Sequence, residues 1–226
     1  MKFEILYNDN DLIAINKPHG IAVHRSEYVG KDDTYVMQEL RNQLGQKVFP
    51  GHRVDKKTSG VLLFSLSQES NKLVQQLFRE NLIKKKYLAI VRGYTEDSGI
   101  IDYPLINDKG KKQEAVTEYY TMSRTELHIP FGKFNTSRYS LVEVYPQTGR
   151  MHQIRKHLAH INHPIIGDRP HGCNKQNKLF KEKFNMTTMM LHAMEISFIH
   201  PLTSQEVKII ANPSQEFVRT RELLNL

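Results

Sequence analysis

The sequence predicts an α+β fold, in which a mixed and mostly antiparallel sheet is flanked by helices. Strand-like segments outnumber helical ones, and the two do not alternate strictly, which disfavours a Rossmann-like arrangement. No repeat of fixed period, low-complexity tract or long linker rich in Pro, Gly and Ser interrupts the 226 residues. We therefore expect one domain over residues 1–226, a length that supports a substantial hydrophobic core.

The elements predicted in the first half of the chain follow from apolar periodicity and from turn residues. Met37, Leu40 and Leu44 form one helical stripe that stops at Gly45, whereas alternating apolar residues indicate strands. The predicted elements are a hairpin of residues 3–7 and 12–15, a helix at 33–44, a strand at 61–66, a helix at 69–81 and a strand at 87–91.

The second half of the chain contains further strands and two helices. An apolar stripe of Met151, Ile154, Leu158 and Ile161 predicts a helix at about 150–161. The other predicted elements are strands at 115–121, 138–145, 189–199 and 206–211, and a closing helix that Ser214 caps.

Composition is that of an ordinary globular protein, with 39% hydrophobic residues, 25% charged residues and a mean hydropathy of -0.53. No apolar run approaches the roughly 20 residues of a membrane helix, and the N-terminus does not resemble a secretory signal. The single cysteine, Cys173, cannot form an internal disulfide. We expect a cytoplasmic protein that does not associate with membranes.

Basic residues outnumber acidic ones by 32 to 24, which gives a net charge of +8 and a pI near 9.4. Residues 150–183 contain eight basic residues against Asp168 and Glu182, and shorter basic clusters lie at 84–86 and 109–112. Three clusters in a small protein favour a nucleic-acid surface over a merely solvated face. The residues that we expect at an RNA surface are Lys84, Lys85, Lys86, Arg150, His152, Lys156, Lys175 and Lys178.

One carboxylate has a setting that suits chemistry. The sequence contains no glycine-rich nucleotide motif, P-loop, GxSxG or HExxH, which disfavours nucleotide-driven and zinc-protease mechanisms. Asp55 lies in a basic loop that leads into a buried strand, and nearby cations keep such a carboxylate ionised, so it can act as a nucleophile or a base. The structural alternative is a loop carboxylate that pairs with Arg53 or caps Thr58.

The segment of residues 147–157 combines a predicted helix start with several cations. Thr148 is the expected cap, and the basic side chains around the first turns form either an anion site or a solvated face. Arg155 lies next to the apolar stripe, and a buried arginine requires a carboxylate partner, for which Asp55 is the candidate.

Four histidines in this region raise the question of zinc. They are His152, His157, His160 and His163, and Asp168 follows them. A zinc site needs three or four convergent ligands, and only His157 and His160 share one face of the predicted helix. We therefore expect no metal.

The sequence HRVDKKTSG at residues 52–60, followed by VLLF, resembles the catalytic motif of the RluA-type pseudouridine synthases. It departs from the commoner HRLD spelling only by Val54, an apolar exchange that should not affect chemistry. Three further motifs of this family occur in the family's order, over residues 3–212 in all. They are NKPHG at 16–20, KYLAIVRG at 86–93, and TGRMHQIR at 148–155 with HPIIGD at 163–168.

The resemblance implies the pseudouridine synthase fold, with an active-site cleft in the middle of the sheet. Asp55 would be the catalytic carboxylate, and Tyr87 would stack on the flipped uracil near the proton-transfer site. Arg155 would pair with Asp55, and Arg53 would help to extrude the base or fill its place. The local pattern alone would assign Tyr87 to the core.

The reaction that the resemblance implies breaks the N1–C1′ bond, rotates the uracil and joins C5 to C1′. Because it involves no redox change and no energy input, we expect neither a cofactor nor a metal. The target base must be flipped out of a stacked helix, at a cost of a few kcal/mol that basic contacts with the phosphates offset.

The resemblance also suggests the substrate. Residues 23–26 and 158–177 are most similar to family members that modify uridine 65 in the T-stem of some tRNAs. We expect tRNA as the partner, with ribosomal RNA as the alternative substrate. A catalytically inactive RNA-binding module and a histidine-dependent metal hydrolase are the alternatives from other classes. We expect a monomer that begins at the catalytic domain, without an S4-like domain.

Overall fold

A computed structural model describes residues 1–24 and 34–226. Its strands are β1 (Glu4–Asn8), β2 (Leu12–Lys17), β3 (Phe49–Pro50), β4 (Ser59–Ser65), β5 (Lys84–Arg92), β6 (Ser98–Asp102), β7 (Leu105–Ile106), β8 (Lys112–Gln113), β9 (Val116–Leu127), β10 (Ser137–Pro146), β11 (Leu191–Ile199) and β12 (Glu206–Ile210). Its helices are α1 (Val36–Leu44), α2 (Gln68–Arg79), α3 (Gln153–His160), α4 (Asn174–Phe184) and α5 (Gln215–Leu223). Arg25, Ser26 and Asp33, which belong to a predicted motif and a predicted helix, lie outside the described residues.

The described residues form two compact units. The first comprises Met1–Lys85 and Ala193–Pro213, and the second comprises Lys86–His192 and Ser214–Leu226. The pairs β1–β2, β2–β4 and β11–β12 and the pairs β5–β10, β9–β10 and β6–β9 are antiparallel. The predicted α+β class, with a mostly antiparallel sheet flanked by helices, is confirmed. The expectation of a single domain stays a prediction.

The first unit is built around β4, whose strand neighbours are β2 on one side and β11 on the other. Val61 and Leu63 belong to a core cluster that includes Val74 of α2. Leu62 and Phe64 belong to a second core cluster, which α1 covers. The uninterrupted apolar run of β4 therefore reflects a strand that is buried on both faces.

The second unit contains the strand order β5-β10-β9-β6. Tyr87 on β5 lies opposite Val144, which in turn lies opposite Tyr119 on β9. Thr117 is two residues from Tyr119 and shares its face of the sheet. The side chain of Gln153 in α3 donates to Thr117 Oγ1 at 3.0 Å. Tyr87 consequently lies on the face of the sheet that α3 covers.

The start of α3 differs from the sequence prediction. The helix begins at Gln153, because His152 adopts a left-handed conformation with φ of 55°. Thr148 does not cap the helix; its hydroxyl donates to Gln153 Oε1 at 2.6 Å. Met151, predicted to face the core, precedes the helix and is 45% exposed. The prediction was wrong by one turn because the Gln153 side chain anchors the preceding turn.

The other predicted elements are found within a few residues of their expected bounds. Ser214 caps α5 as predicted and accepts a hydrogen bond from Phe217 N at 3.2 Å. The strand predicted at 115–121 continues to Leu127 as β9. The sequence did not predict α4, nor the short strands β3, β6, β7 and β8.

Candidate active site

The loop between β3 and β4 holds Asp55, and a buried lysine supports it. Lys17 is completely buried at the end of β2, where its backbone pairs with Gly60. Its Nζ donates hydrogen bonds to the carbonyl oxygens of Pro18, Lys56 and Thr58 at 2.9, 3.2 and 2.8 Å. Two of these acceptors, Lys56 O and Thr58 O, belong to residues that follow Asp55 in the chain. The lysine thus holds the backbone immediately after the carboxylate.

Two backbone hydrogen bonds complete this loop. Thr58 N donates to Asp55 O at 3.0 Å, and Gly20 N donates to Lys56 O at 2.9 Å. Gly60, where the loop enters β4, has φ of 108°, and a Cβ at this position would lie 2.1 Å from Ala193 O. Only glycine fits so close to the neighbouring strand.

Burial and charge act in opposite directions on Lys17. Burial lowers the pKa of its ammonium to about 7, whereas the negative charge of Asp55 raises it. Burial, assisted by the charges of Lys17 and Lys57, also lowers the pKa of His19 to about 4. Asp55 is therefore a partly buried carboxylate in a cationic setting, as the sequence predicted.

The residues just before Asp55 divide into a structural and an exposed group. His52 Nε2 accepts a hydrogen bond from Leu63 N at 3.1 Å, and its ring stacks on Phe78 with centroids 4.5 Å apart. Burial lowers the pKa of His52 to about 3, so it is neutral. Val54 packs against the core cluster of α1. Arg53, in contrast, is exposed.

In the second unit, Arg155 is buried together with a carboxylate that is not the one expected. Arg155 Nε and Nη2 donate to Asp168 Oδ2 and Oδ1, both at 2.8 Å. The side chains are 5% and 1% exposed. The apolar stripe beside Arg155 correctly predicted a buried arginine that needs a carboxylate, but it did not identify Asp168 as a partner. The pairing of Arg155 with Asp55 stays a prediction.

Asp168 is positioned by its neighbours in sequence and by α4. Asn177 of α4 donates to Asp168 O at 2.7 Å and accepts from Gly167 N at 2.8 Å. Gly167 has φ of 83°, and a Cβ there would lie 2.3 Å from Thr188 O. The signal for Asp168 was present in the sequence as the final residue of the HPIIGD motif.

The predicted Lys84–Lys86 cluster does not form one uniform surface. Lys84 is exposed, whereas Lys85 is partly buried and burial lowers its pKa to about 8. Lys86 forms an ion pair with Glu143. Only Lys84 of this cluster is an open surface cation.

The remaining predicted RNA-binding residues lie in the second unit. Arg150 is exposed and its Nε donates to Glu114 O at 3.0 Å, and Lys156 is partly buried. Lys175 and Lys178 are exposed on α4, and Lys178 lies 3.7 Å from Glu182. These two lysines are three residues apart and so lie on one side of the helix.

The histidines around α3 are engaged with other protein atoms. His157 is fully buried, and its Nε2 lies 2.9 Å from Tyr103 O while Nδ1 lies 2.9 Å from Thr117 Oγ1. Because a carbonyl can only accept, Nε2 donates and Nδ1 accepts from the hydroxyl. His152 Nδ1 and His171 Nε2 are 2.9 Å apart and form a separate pair.

Among the described residues, the acidic and histidine side chains that converge are Asp9, Asp11 and His200, with ligand atoms within 4.8 Å of one another. His200 Nδ1 accepts from Leu202 N and Thr203 N at 3.2 and 3.1 Å. With Nδ1 occupied by these two donors, the ring nitrogen that faces the carboxylates is Nε2, which lies 3.2 Å from Asp9 Oδ2. His200 and Asp9 therefore form a close polar contact.

The comparison with known protein families identifies the chain's relatives. The sequence profile described as RNA pseudouridylate synthase matches residues 11–160. The chain belongs to this family. The resemblance found in the sequence motifs is thereby confirmed, and the family consists of isomerases that act on RNA.

Individual relatives match over nearly the whole chain. The chain is 46% identical to tRNA pseudouridine synthase C of Vibrio parahaemolyticus, over 94% of this chain and 91% of that protein. It is 44% identical to tRNA pseudouridine synthase C of Salmonella typhimurium, over 96% of this chain and 87% of that protein.

Two solved structures share the fold. Human RNA Pseudouridylate Synthase Domain Containing 4 aligns with a TM-score of 0.76 and 25% identity, over 98% of this chain and 93% of that one. Human RNA Pseudouridylate Synthase Domain Containing 1 aligns with a TM-score of 0.74 and 22% identity, over 94% of this chain and 84% of that one.

None of the helices in the described residues is long and apolar enough to cross a membrane.

Proposed function

We propose that the protein isomerises uridine to pseudouridine in tRNA, with Asp55 as the catalytic carboxylate. The observation that carries this proposal is the loop of Asp55, which lies within the family's motif and in which the buried Lys17 holds the carbonyls of Lys56 and Thr58, just after the carboxylate. The relatives named tRNA pseudouridine synthase C, at 42–48% identity, support tRNA as the substrate.

Three other residues would support the same uracil. Tyr87, on the face of the sheet that α3 covers, would stack on the flipped base. Arg155, which Asp168 orients through two hydrogen bonds, would hold the catalytic carboxylate. The exposed Arg53 would help to extrude the target base from the RNA helix.

The proposed reaction is balanced without an added reactant. The N1–C1′ bond breaks, the uracil rotates within the pocket, and C5 forms the new bond to C1′. The proton on C5 then leaves, and N1 takes up a proton. Asp55 would act on the sugar, on the ring or on the proton, and a loop with fixed backbone keeps its carboxylate in one place during these steps.

For the target position we propose uridine 65 in the T-stem. Residues 158–177, which are most similar to the family members of that specificity, include the end of α3 and the start of α4. Ribosomal RNA is the alternative substrate. We further propose that the enzyme acts as a monomer in the cytoplasm, where tRNA is located.

The test uses purified protein and a tRNA transcript, in which pseudouridine is mapped at each position. We expect conversion at uridine 65, no conversion in a transcript with cytidine at that position, and unchanged turnover in excess EDTA. Modification of ribosomal RNA fragments but not of tRNA would contradict the proposed substrate. Loss of turnover on chelation, restored by zinc, would contradict the metal-free mechanism.

A further inference from the structure

The second unit contains an open cavity of about 430 Å³ that no part of the proposed mechanism uses. Arg92, at the end of β5, forms one wall, and the residues that follow α3 form another. His171, Gly172 and Cys173, in the loop that leads into α4, close the third side. Among the described residues that line the cavity, none carries a carboxylate. Its chemistry therefore suits an anion.

Arg92 is held so that its guanidinium can serve this cavity. Its backbone N donates to Pro164 O at 3.0 Å, and His163 Nδ1 donates to its carbonyl oxygen at 2.9 Å. Its guanidinium carbon lies 5.2 Å from the centre of the Phe131 ring. An arginine that stacks on a ring keeps its N–H groups in a fixed plane, which suits recognition of a phosphate.

The surroundings of the cavity extend its positive character. Lys175 and Lys178 are exposed on α4 immediately beyond Cys173. The side chain of Cys173 does not cap α4, so amides of the first helical turn add to the attraction for an anion. Arg92 thus lines a cavity large enough to admit a sugar-phosphate unit, and the two lysines lie on the helix that follows the cavity's Cys173 in the chain.

We propose that this cavity is a phosphate subsite that binds one backbone phosphate of the RNA substrate, next to the lysines of α4. The subsite rests on the proposed function and assigns Arg92 a role in substrate binding. Tyr87 and Arg92 lie on the same strand, five residues apart, which corresponds to roughly 16 Å at about 3.3 Å per residue, and this odd separation directs their side chains to opposite faces of the sheet. Arg92 is the last residue of β5. The bound phosphate would therefore belong to a nucleotide a few positions from the one that reacts.

The first experiment compares Arg92→Gln with Arg221→Gln, an equal charge change at an exposed position of α5. We expect Arg92→Gln to raise KM for tRNA about tenfold, to leave kcat within about twofold, and to reduce the salt slope of binding by about one. Arg92→Lys should keep most of the salt slope. Equal kinetics in Arg92→Gln and Arg221→Gln would overturn the subsite.

The single cysteine provides a second, independent readout, because Cys173 lines the cavity. Bound tRNA should slow alkylation of Cys173 in the wild type, and should slow it much less in Arg92→Gln at the same tRNA concentration. Protection by inorganic phosphate at lower concentrations than by tRNA would identify a site for free phosphate and overturn the RNA subsite. No protection by saturating tRNA would overturn it as well.

These readouts separate the two proposals. If the wild type forms no pseudouridine, the proposed function fails, while Cys173 protection by RNA still tests the cavity. If the wild type forms pseudouridine but neither KM nor protection depends on Arg92, the subsite alone fails.

Discussion

Lys17 and Arg155 are two buried cations, one in each unit, and the protein satisfies them in different ways. The Lys17 ammonium donates to three backbone carbonyls beside the loop of Asp55. The Arg155 guanidinium donates to the carboxylate of Asp168 through two parallel hydrogen bonds. Carbonyl dipoles therefore accept the hydrogen bonds of the Lys17 ammonium, whereas a full negative charge accepts two hydrogen bonds from the Arg155 guanidinium.

The difference has a consequence for charge at neutral pH. Carbonyl dipoles compensate only part of the cost of burying an ammonium, and burial lowers the pKa of Lys17 to about 7. A guanidinium stays protonated throughout the range in which proteins are stable, and its carboxylate partner offsets the cost of burial. The loop of Asp55 thus has a pH-sensitive support, whereas Arg155 has a permanent one.

The largest effect on stability is expected at the pair in the second unit. Asp168→Asn removes the negative charge to which the buried Arg155 guanidinium donates two hydrogen bonds, so the free energy of unfolding should fall by about 3–5 kcal/mol in urea denaturation. Glu182→Gln is the matched control, because its pair with Lys178 is exposed and should contribute less than about 1 kcal/mol. Adding Arg155→Met to Asp168→Asn should recover part of the loss. An Asp168→Asn variant as stable as the Glu182→Gln control would show that the buried pair contributes no more to stability than the exposed one.

A smaller loss is expected at Lys17. Lys17→Met removes the lysine donor from three carbonyl oxygens, of which Lys56 O keeps the Gly20 N donor, and it also removes the cost of burying a charge, so we expect a loss of about 1–3 kcal/mol. Lys72→Met, at an exposed position of α2, should be nearly neutral. Urea denaturation of both variants measures the difference, and equal stabilities would show that the Lys17 hydrogen bonds do not support the loop.

The contribution of Lys17 to stability should also depend on pH. Native Lys17 has a pKa of about 7, below the usual value of 10.5, so between these values the unfolded chain binds more protons. The contribution of Lys17 to stability should therefore rise with pH in this window, by up to about 1.4 kcal/mol per unit, and stay constant below it. Unfolding of wild type and Lys17→Met at several pH values measures this slope. A constant difference between them above pH 7 would contradict the lowered pKa.

The exposed cations of α4 should affect binding and not stability. Replacing Lys175 and Lys178 with Gln should change the free energy of unfolding by less than about 0.5 kcal/mol. The slope of log affinity for tRNA against log salt should decrease by up to about two. Lys72 and Arg79 on α2, replaced in the same way, provide the control. An unchanged slope would mean that the α4 lysines are only a solvated face.

The parts of the fold that the sequence predicted have local signals. Strand β4 was visible as an uninterrupted apolar run, and α5 was visible through its N-cap, Ser214. Helix α4 had no such signal, because it is mostly polar and few of its side chains are buried. Its anchors are Phe180, whose ring lies 5.2 Å from that of Tyr139, and Gln176, which donates to the Tyr139 hydroxyl. Such contacts between distant residues cannot be found from periodicity.

The candidate site likewise contains residues that the sequence identified and contacts that it did not. Asp55 and Arg155 were recognisable from local context and from the family's motifs. The support that Lys17 gives to Lys56 and Thr58 spans about 40 residues, and no pattern of spacing predicts it. Asp168 was visible in a motif, but its contact with Arg155 depends on the turn after α3.

We propose that Asp55 performs chemistry and does not merely stabilise its loop. Asp55→Asn keeps the size of the side chain and removes the charge, so it should abolish turnover while ground-state binding of tRNA persists. Asp108→Asn, an equal charge change at an exposed turn, is the control for general effects on affinity.

The deciding measurement determines pseudouridine formation and tRNA affinity for both variants. We predict no detectable product from Asp55→Asn, with tRNA affinity within about threefold of the Asp108→Asn control. Residual activity above about a hundredth of wild type would show that another group does the chemistry. A loss of tRNA affinity as large as the loss of turnover would show that Asp55 is a structural residue of the loop.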